Sequence, residues 1–157
     1  ESTLSLSGVE ISAGDSDLAR QNLAENGLTG TIYTGDLRQV CKTFPAGGCS
    51  LVVANPPYFR AGSGGDGGAA RMEEATLDDW CAAAGRLVKN GGRFALVHRP
   101  ERLAELFAAL TAHGLEPKRL QLVQHDQDTP PSAALVEAVR QGRPGLKVLP
   151  VQLRNRR

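Results

Sequence analysis

Leu51-Val52-Val53-Ala54, followed directly by Asn55-Pro56-Pro57-Tyr58, is the stretch on which the fold turns. Four apolar residues in succession, without alternation, read as a strand buried on both faces of a parallel sheet. Open α/β sheets bind their ligands at the carboxyl ends of such strands. Two consecutive prolines remove two N–H donors and hold φ near about −65°, so Asn55 and Tyr58 are presented stiffly. The Asn55 amide oxygen and the Pro56 carbonyl form a pair of acceptors. Such a pair can take both hydrogens of a planar exocyclic amine, drawing its lone pair out of conjugation and toward an electrophilic methyl group. The Tyr58 ring offers a stacking face for an extruded base, worth about 1–3 kcal/mol. The plainer alternative is a proline-rich turn that ends a strand. Its position after a buried strand of an α/β chain favours a site.

Working outward, strand and helix signals alternate. Leu4, Leu6, Val9 and Ile11 predict a strand with Glu10 at its end, then a turn at Gly14. Asp15 or Ser16 is the expected cap of a helix that stops at Asn26-Gly27, with Leu18, Ala19 and Leu23 at helical spacing. A short strand over Thr31-Ile32-Tyr33 leads to Gly35-Asp36. Beyond Tyr58, glycines from Gly62 to Gly68 predict a loop. Gly62-Ser63-Gly64-Gly65-Asp66-Gly67 matches G-x-G-x-x-G literally, but it follows a Pro-Pro turn and opens no helix, so it reads as a loop over a substrate entrance. A helix over about 77–88 should end at Asn90-Gly91-Gly92, with a strand over 93–97. Glu101 to His113 predicts a helix closed by Gly114, and 118–124 and 134–139 predict two strands around Pro130-Pro131. The fold class that follows is α/β: a mostly parallel sheet finished by an antiparallel pair, in one domain over 1–157.

With 41% hydrophobic and 22% charged residues, the chain has an ordinary globular composition. No apolar run approaches the roughly 20 residues that span a bilayer, and the first residues lack a secretory pattern. Cys41, Cys49 and Cys81 form neither a disulfide framework nor a zinc spacing, which suggests a reduced, cytoplasmic setting. His98, His113 and His125 are too dispersed for a metal signature and read as surface or cap residues. The net charge of +1 conceals an asymmetry: residues 1–92 hold 7 Lys/Arg against 11 Asp/Glu, and residues 93–157 hold 11 against 6. A basic second part suits phosphate contact, with a solvated basic face as the alternative. Arg140, Arg143 and Lys147, beside Gly142 and Gly145, are candidate phosphate contacts; a basic hairpin turn explains them equally well.

Gly8-Val9-Glu10-Ile11, Gly35-Asp36-Leu37 and Asn55-Pro56-Pro57-Tyr58-Phe59 together resemble the class I amino-methyltransferases. Ala70-Arg71-Met72-Glu73-Glu74, Leu87 to Arg93, Val97 to Leu103 and Gly145 to Pro150 resemble, more narrowly, the bacterial tRNA(Val) adenine-N6 methyltransferases. The resemblance implies a Rossmann-like fold and S-adenosylmethionine as cofactor. It implies that Glu10 binds the cofactor ribose, that Asp36 accepts from the cofactor adenine beside Leu37, and that Asn55 reaches the cofactor as well. Asn55, Pro56 and Tyr58 would hold the target adenine, with Pro57, Phe59 and Arg71 lining the substrate site. No metal is implied, because the methyl sulfonium is already activated. The acceptor would be the N6 of an adenine in tRNA.

Two departures accompany the resemblance. Met72 stands where relatives commonly have His, and the chain starts just before what would be the second strand. The first strand and its glycine-rich turn, at minimum roughly 30 residues, would then precede residue 1. That strand would lie between those of Val9 and Val52, so the expectation is a longer natural polypeptide and no direct pairing of the two. Two rival functions use the same residues: methylation of a protein glutamine amide, and a non-catalytic RNA-binding remnant.

Overall fold

The structure is a computed structural model that describes residues 5–56 and 75–154. Pro57, Tyr58, Phe59, Arg71 and the glycine run lie outside the described residues. The chain divides into two compact units, residues 1–45 and 46–157.

In the first unit, β1 (Leu6–Glu10) and β2 (Gly30–Thr34) pair in parallel, joined by α1 (Ala13–Glu25). The α1 cap is Ser12, whose hydroxyl accepts from the Asp15 N–H, so the helix begins earlier than Asp15 or Ser16. Gly14 is therefore a first-turn residue and not a turn. The stop at Asn26-Gly27 is where the sequence placed it. Arg20 on α1 donates to the Ile32 carbonyl and the Thr34 hydroxyl, tying the helix to β2. A helix with no signal in the periodicity, α2 (Leu37–Thr43), is capped by Asp36.

The second unit holds a six-stranded sheet in the order β3 (Cys49–Ala54), β4 (Val88–His98), β6 (Ala133–Arg140), β5 (Leu115–Gln124), β7 (Lys147–Val148), with β8 (Gln152–Leu153) also paired to β5. β3 and β4 are parallel; β6 runs antiparallel to both β4 and β5. β3 belongs to this sheet, and β1 to the two-stranded sheet of the first unit. The core lies on one side of the sheet. Phe94 and Leu96 of β4 and Val136 and Ala138 of β6 meet Leu77, Cys81 and Ala84 of α3 (Leu77–Leu87) and Leu106 and Leu110 of α4 (Leu103–Ala112). Thr76 and Asp79 form a reciprocal cap at the start of α3, of a kind worth about 1 kcal/mol. Burial pushes the Cys81 thiol up to about 12, with Asp78 adding to the effect. That thiol is a packing group and not a nucleophile.

Three expectations need correction. Among the described residues β3 pairs with β4 alone, and Leu51 and Val53 are 55% and 71% exposed while Val52 and Ala54 pack on the core, so the described residues cover one face of the apolar run. α3 ends at Leu87, and β4 begins at Val88 rather than after Gly92. The register against β3 slips there, with Cys49 opposite Val88 but Leu51 opposite Arg93. Gly91, at φ +74°, absorbs the irregularity. His98 is neither a surface nor a cap residue; it is wholly buried on the core face, in register with Ala134.

Candidate active site

In each unit, candidate residues stand at the carboxyl ends of parallel strands. In the first, Glu10 ends β1 and Asp36 follows β2. Gly35 donates its N–H to the Glu10 carbonyl at 2.8 Å, so the two strand ends are tied together. Glu10 is half-buried, and its Oε1 accepts from the Ser12 N–H at 2.9 Å. Its second oxygen has no partner among the described residues. A carboxylate held by one oxygen and open at the other suits a ribose hydroxyl.

Asp36 is more committed. Its Oδ1 accepts from the Arg38 backbone N–H at 2.8 Å and from Nε at 3.0 Å, and its Oδ2 accepts from Nε at 3.0 Å and from Nη2. The Arg38 guanidinium holds the carboxyl below the usual carboxylate range, against a smaller opposing effect of burial. An adenine amino group would therefore share this carboxylate with Arg38. Leu37 is half-buried as the first residue of α2. The residues fit S-adenosylmethionine at Glu10 readily, and at Asp36 only with that sharing. Linkage follows from the sign of the shift. A depressed folded-state value adds stability that is present above the unfolded value and lost as pH falls through the folded one. Asp36→Asn is expected to flatten the acid limb of the stability curve below about pH 4, measured by urea unfolding across pH.

In the second unit Asn55 leaves the carboxyl end of β3 exposed, and Pro56 is wholly buried. The buried ring anchors the backbone on which Asn55 sits, and a residue before proline is itself confined to extended conformations. His98 stands at the carboxyl end of the neighbouring strand, two residues past Leu96, the register partner of Ala54. Burial lowers its pKa, and Arg102 lowers it further, which favours the neutral ring. The Phe94, Leu96, His98 alternation was the signal for its burial.

The basic candidates do not form one cluster on a hairpin. Arg140 ends β6 and donates Nη1 to the His113 carbonyl at 2.9 Å. Arg143 lies exposed between β6 and β7, its carbonyl accepting from Lys118 Nζ at 2.9 Å, and Lys147 is exposed in β7 opposite Arg119. Among the described residues no group of His, Cys, Asp or Glu is placed to hold a metal ion, and no helix is long and apolar enough to cross a membrane.

Parallel strands with a crossover helix, and a second sheet whose parallel pair ends in an antiparallel pair, define a Rossmann-like α/β architecture. Comparison with solved structures gives this architecture its particular form. A predicted O-methyltransferase from Agrobacterium tumefaciens matches with a TM-score of 0.73 at 20% identity, covering 94% of this chain and 67% of its own. The geranyl diphosphate C-methyltransferase of Streptomyces coelicolor, solved with S-adenosylhomocysteine, matches at 0.62 and 14% identity over 85% and 62%. A SAM-dependent methyltransferase from Methanosarcina mazei matches at 0.61 and 13% identity over 88% and 82%. The chain has the α/β methyltransferase fold, and it spans about two thirds of the length of the first two structures. No protein-family model and no curated protein matches it.

Proposed function

We propose that this chain is the core of an S-adenosylmethionine-dependent methyltransferase acting on an exocyclic amine, the N6 of an adenine in tRNA. The observation that carries the reading is Asn55, exposed at the carboxyl end of a parallel strand of a methyltransferase fold and anchored by a buried Pro56. The fold does not choose the acceptor atom, since the similar structures include an O- and a C-methyltransferase by name. What supports an amine is the acceptor pair, since two oxygen acceptors match the two hydrogens of an amino group.

The cofactor supplies a methyl group already activated on a sulfonium. Glu10 would hold its ribose, Asp36 and Leu37 would meet its adenine, and Asn55 would reach it as well. The Asn55 oxygen and the Pro56 carbonyl hold the amine hydrogens, which turns the nitrogen lone pair toward the methyl. With the cofactor bound, its methyl would be given up as a C–N bond forms and its S–C bond breaks, and the surplus amine proton would pass to water. By the resemblance, Tyr58 would stack on the base, and Pro57, Phe59 and Arg71 would belong to the substrate site. Arg140, Arg143 and Lys147 meet tRNA phosphates. Alignment of nucleophile and methyl supplies most of the rate. Cysteines without a disulfide pattern support a cytoplasmic setting.

Incubation with methyl-labelled S-adenosylmethionine and total tRNA, followed by nucleoside mass spectrometry, is expected to yield N6-methyladenosine. Label on a protein glutamine would favour the amide-methylating rival. No calorimetric heat with S-adenosylmethionine would mean a non-catalytic remnant.

A further inference from the structure

The amino ends of β3 and β4, at the opposite edge of the sheet from Asn55 and His98, open onto a cavity of about 590 Å³. Its lining includes Gly47 before β3, Arg86 at the end of α3, Lys89 and Asn90 in the first residues of β4, His113 capping α4, and Arg140 at the end of β6. Among the described residues three cationic side chains line it, and no carboxylate does.

The position of Arg140 is prepared by its surroundings. Its Nη1 donates to the His113 carbonyl, and the guanidinium packs against Gly85. A Cβ on Gly85 would stand 2.7 Å from that carbonyl and 3.1 Å from Nη1, so a side chain there would clash with the carbonyl that holds the arginine and crowd its guanidinium. One of its five N–H donors is used by the described residues. Elsewhere in the chain Arg20, Arg38, Arg93, Arg102 and Arg119 each pair with an Asp or Glu. Lys89 and Arg140 have no carboxylate partner among the described residues.

Cations at helix ends can simply balance helix dipoles, and α3 and α4 both end here. Each helix terminus carries about half a negative charge, which the full charges of Lys89 and Arg140 exceed. Lys89 lies past the end of α3 and donates to no described helix carbonyl. The volume is that of a small-ligand site. Among the described residues no aromatic side chain lines it to stack a base, so recognition falls on the anion.

We propose that this cavity binds a phosphate group, free or as part of a nucleic-acid backbone, at a site separate from methyl transfer. Inorganic pyrophosphate titrated calorimetrically into the full chain at low salt is expected to give saturable binding. Lys89→Glu, an exposed position, should weaken it at least about tenfold while leaving S-adenosylmethionine binding unchanged. A short oligoribonucleotide that displaces pyrophosphate identifies the backbone as the source, and one that does not identifies a small phosphate ligand. Absence of saturable heat, equal affinity in Lys89→Glu, or a parallel loss of cofactor binding would each overturn the proposal. The methyl-transfer reading is tested separately, by cofactor heat and labelled product.

Discussion

Asn55→Ala is expected to lower kcat for methyl transfer by about 10²–10³, the loss that follows removal of one positioned acceptor in a transition state. KM for S-adenosylmethionine should rise by less than kcat falls, because the amide touches the cofactor but acts chiefly on the amine as it becomes a nucleophile. The substitution is at an exposed position, so stability should move by no more than about 0.5–1 kcal/mol. Asn55→Asp separates hydrogen-bond acceptance from simple shape. A carboxylate keeps the acceptor oxygen and loses the N–H donors, so Asp should retain more activity than Ala if the oxygen matters. Pro56 bears on the same test. Its buried ring fixes the backbone beneath Asn55, and Pro56→Ala would loosen both the anchor and the second acceptor. Equal kcat in wild type and Asn55→Ala, with label still entering adenine, would remove this residue from the chemistry.

The parts of the fold legible in the sequence were those with local causes. Asn26-Gly27 stopped α1 and Gly114 closed α4, because a helix end leaves carbonyls that a left-handed or capping residue resolves within a few positions. The antiparallel β5–β6 pair followed from two apolar runs around prolines. What stayed hidden depended on distant neighbours or on segments too short to carry a period. The seven residues of α2 span only two turns, so Val40 and Cys41 could not announce it. The run over Leu51 to Ala54 says that residues are apolar, not that both faces are covered. Ser12 won the cap over Asp15 because Gly14 tolerates the first turn. His98 was set aside as a lone histidine, although its alternation with Phe94 and Leu96 placed it on the core face. As for the site, the positions of Glu10, Asp36 and Asn55 at strand ends could be read from motif and period. The Arg38 grip on Asp36 and the burial of Pro56 could not, since both are contacts of side chains folded into place.

Phe94→Ala is expected to destabilise the second unit by about 3–5 kcal/mol, a large part of the 5–15 kcal/mol typical of a whole domain. Phe94 is fully buried in β4, in register with Val52 on one side and Ala138 on the other, beneath α3 and α4. Truncation removes the largest buried side chain of the sheet and leaves a void that two helices and two strands cannot all collapse into. In urea the midpoint should fall by about 1–3 M, and Phe94→Leu should lose no more than roughly half as much. Val53→Ala is the informative partner experiment, because Val53 belongs to the same sheet but is 71% exposed. One-sided packing predicts that this change costs no more than about 0.5 kcal/mol. A loss at Val53 comparable to that at Phe94 would mean that the outer face of β3 is covered in solution. The double-sided burial first read from the Leu51 to Ala54 run would then be the correct description of this strand.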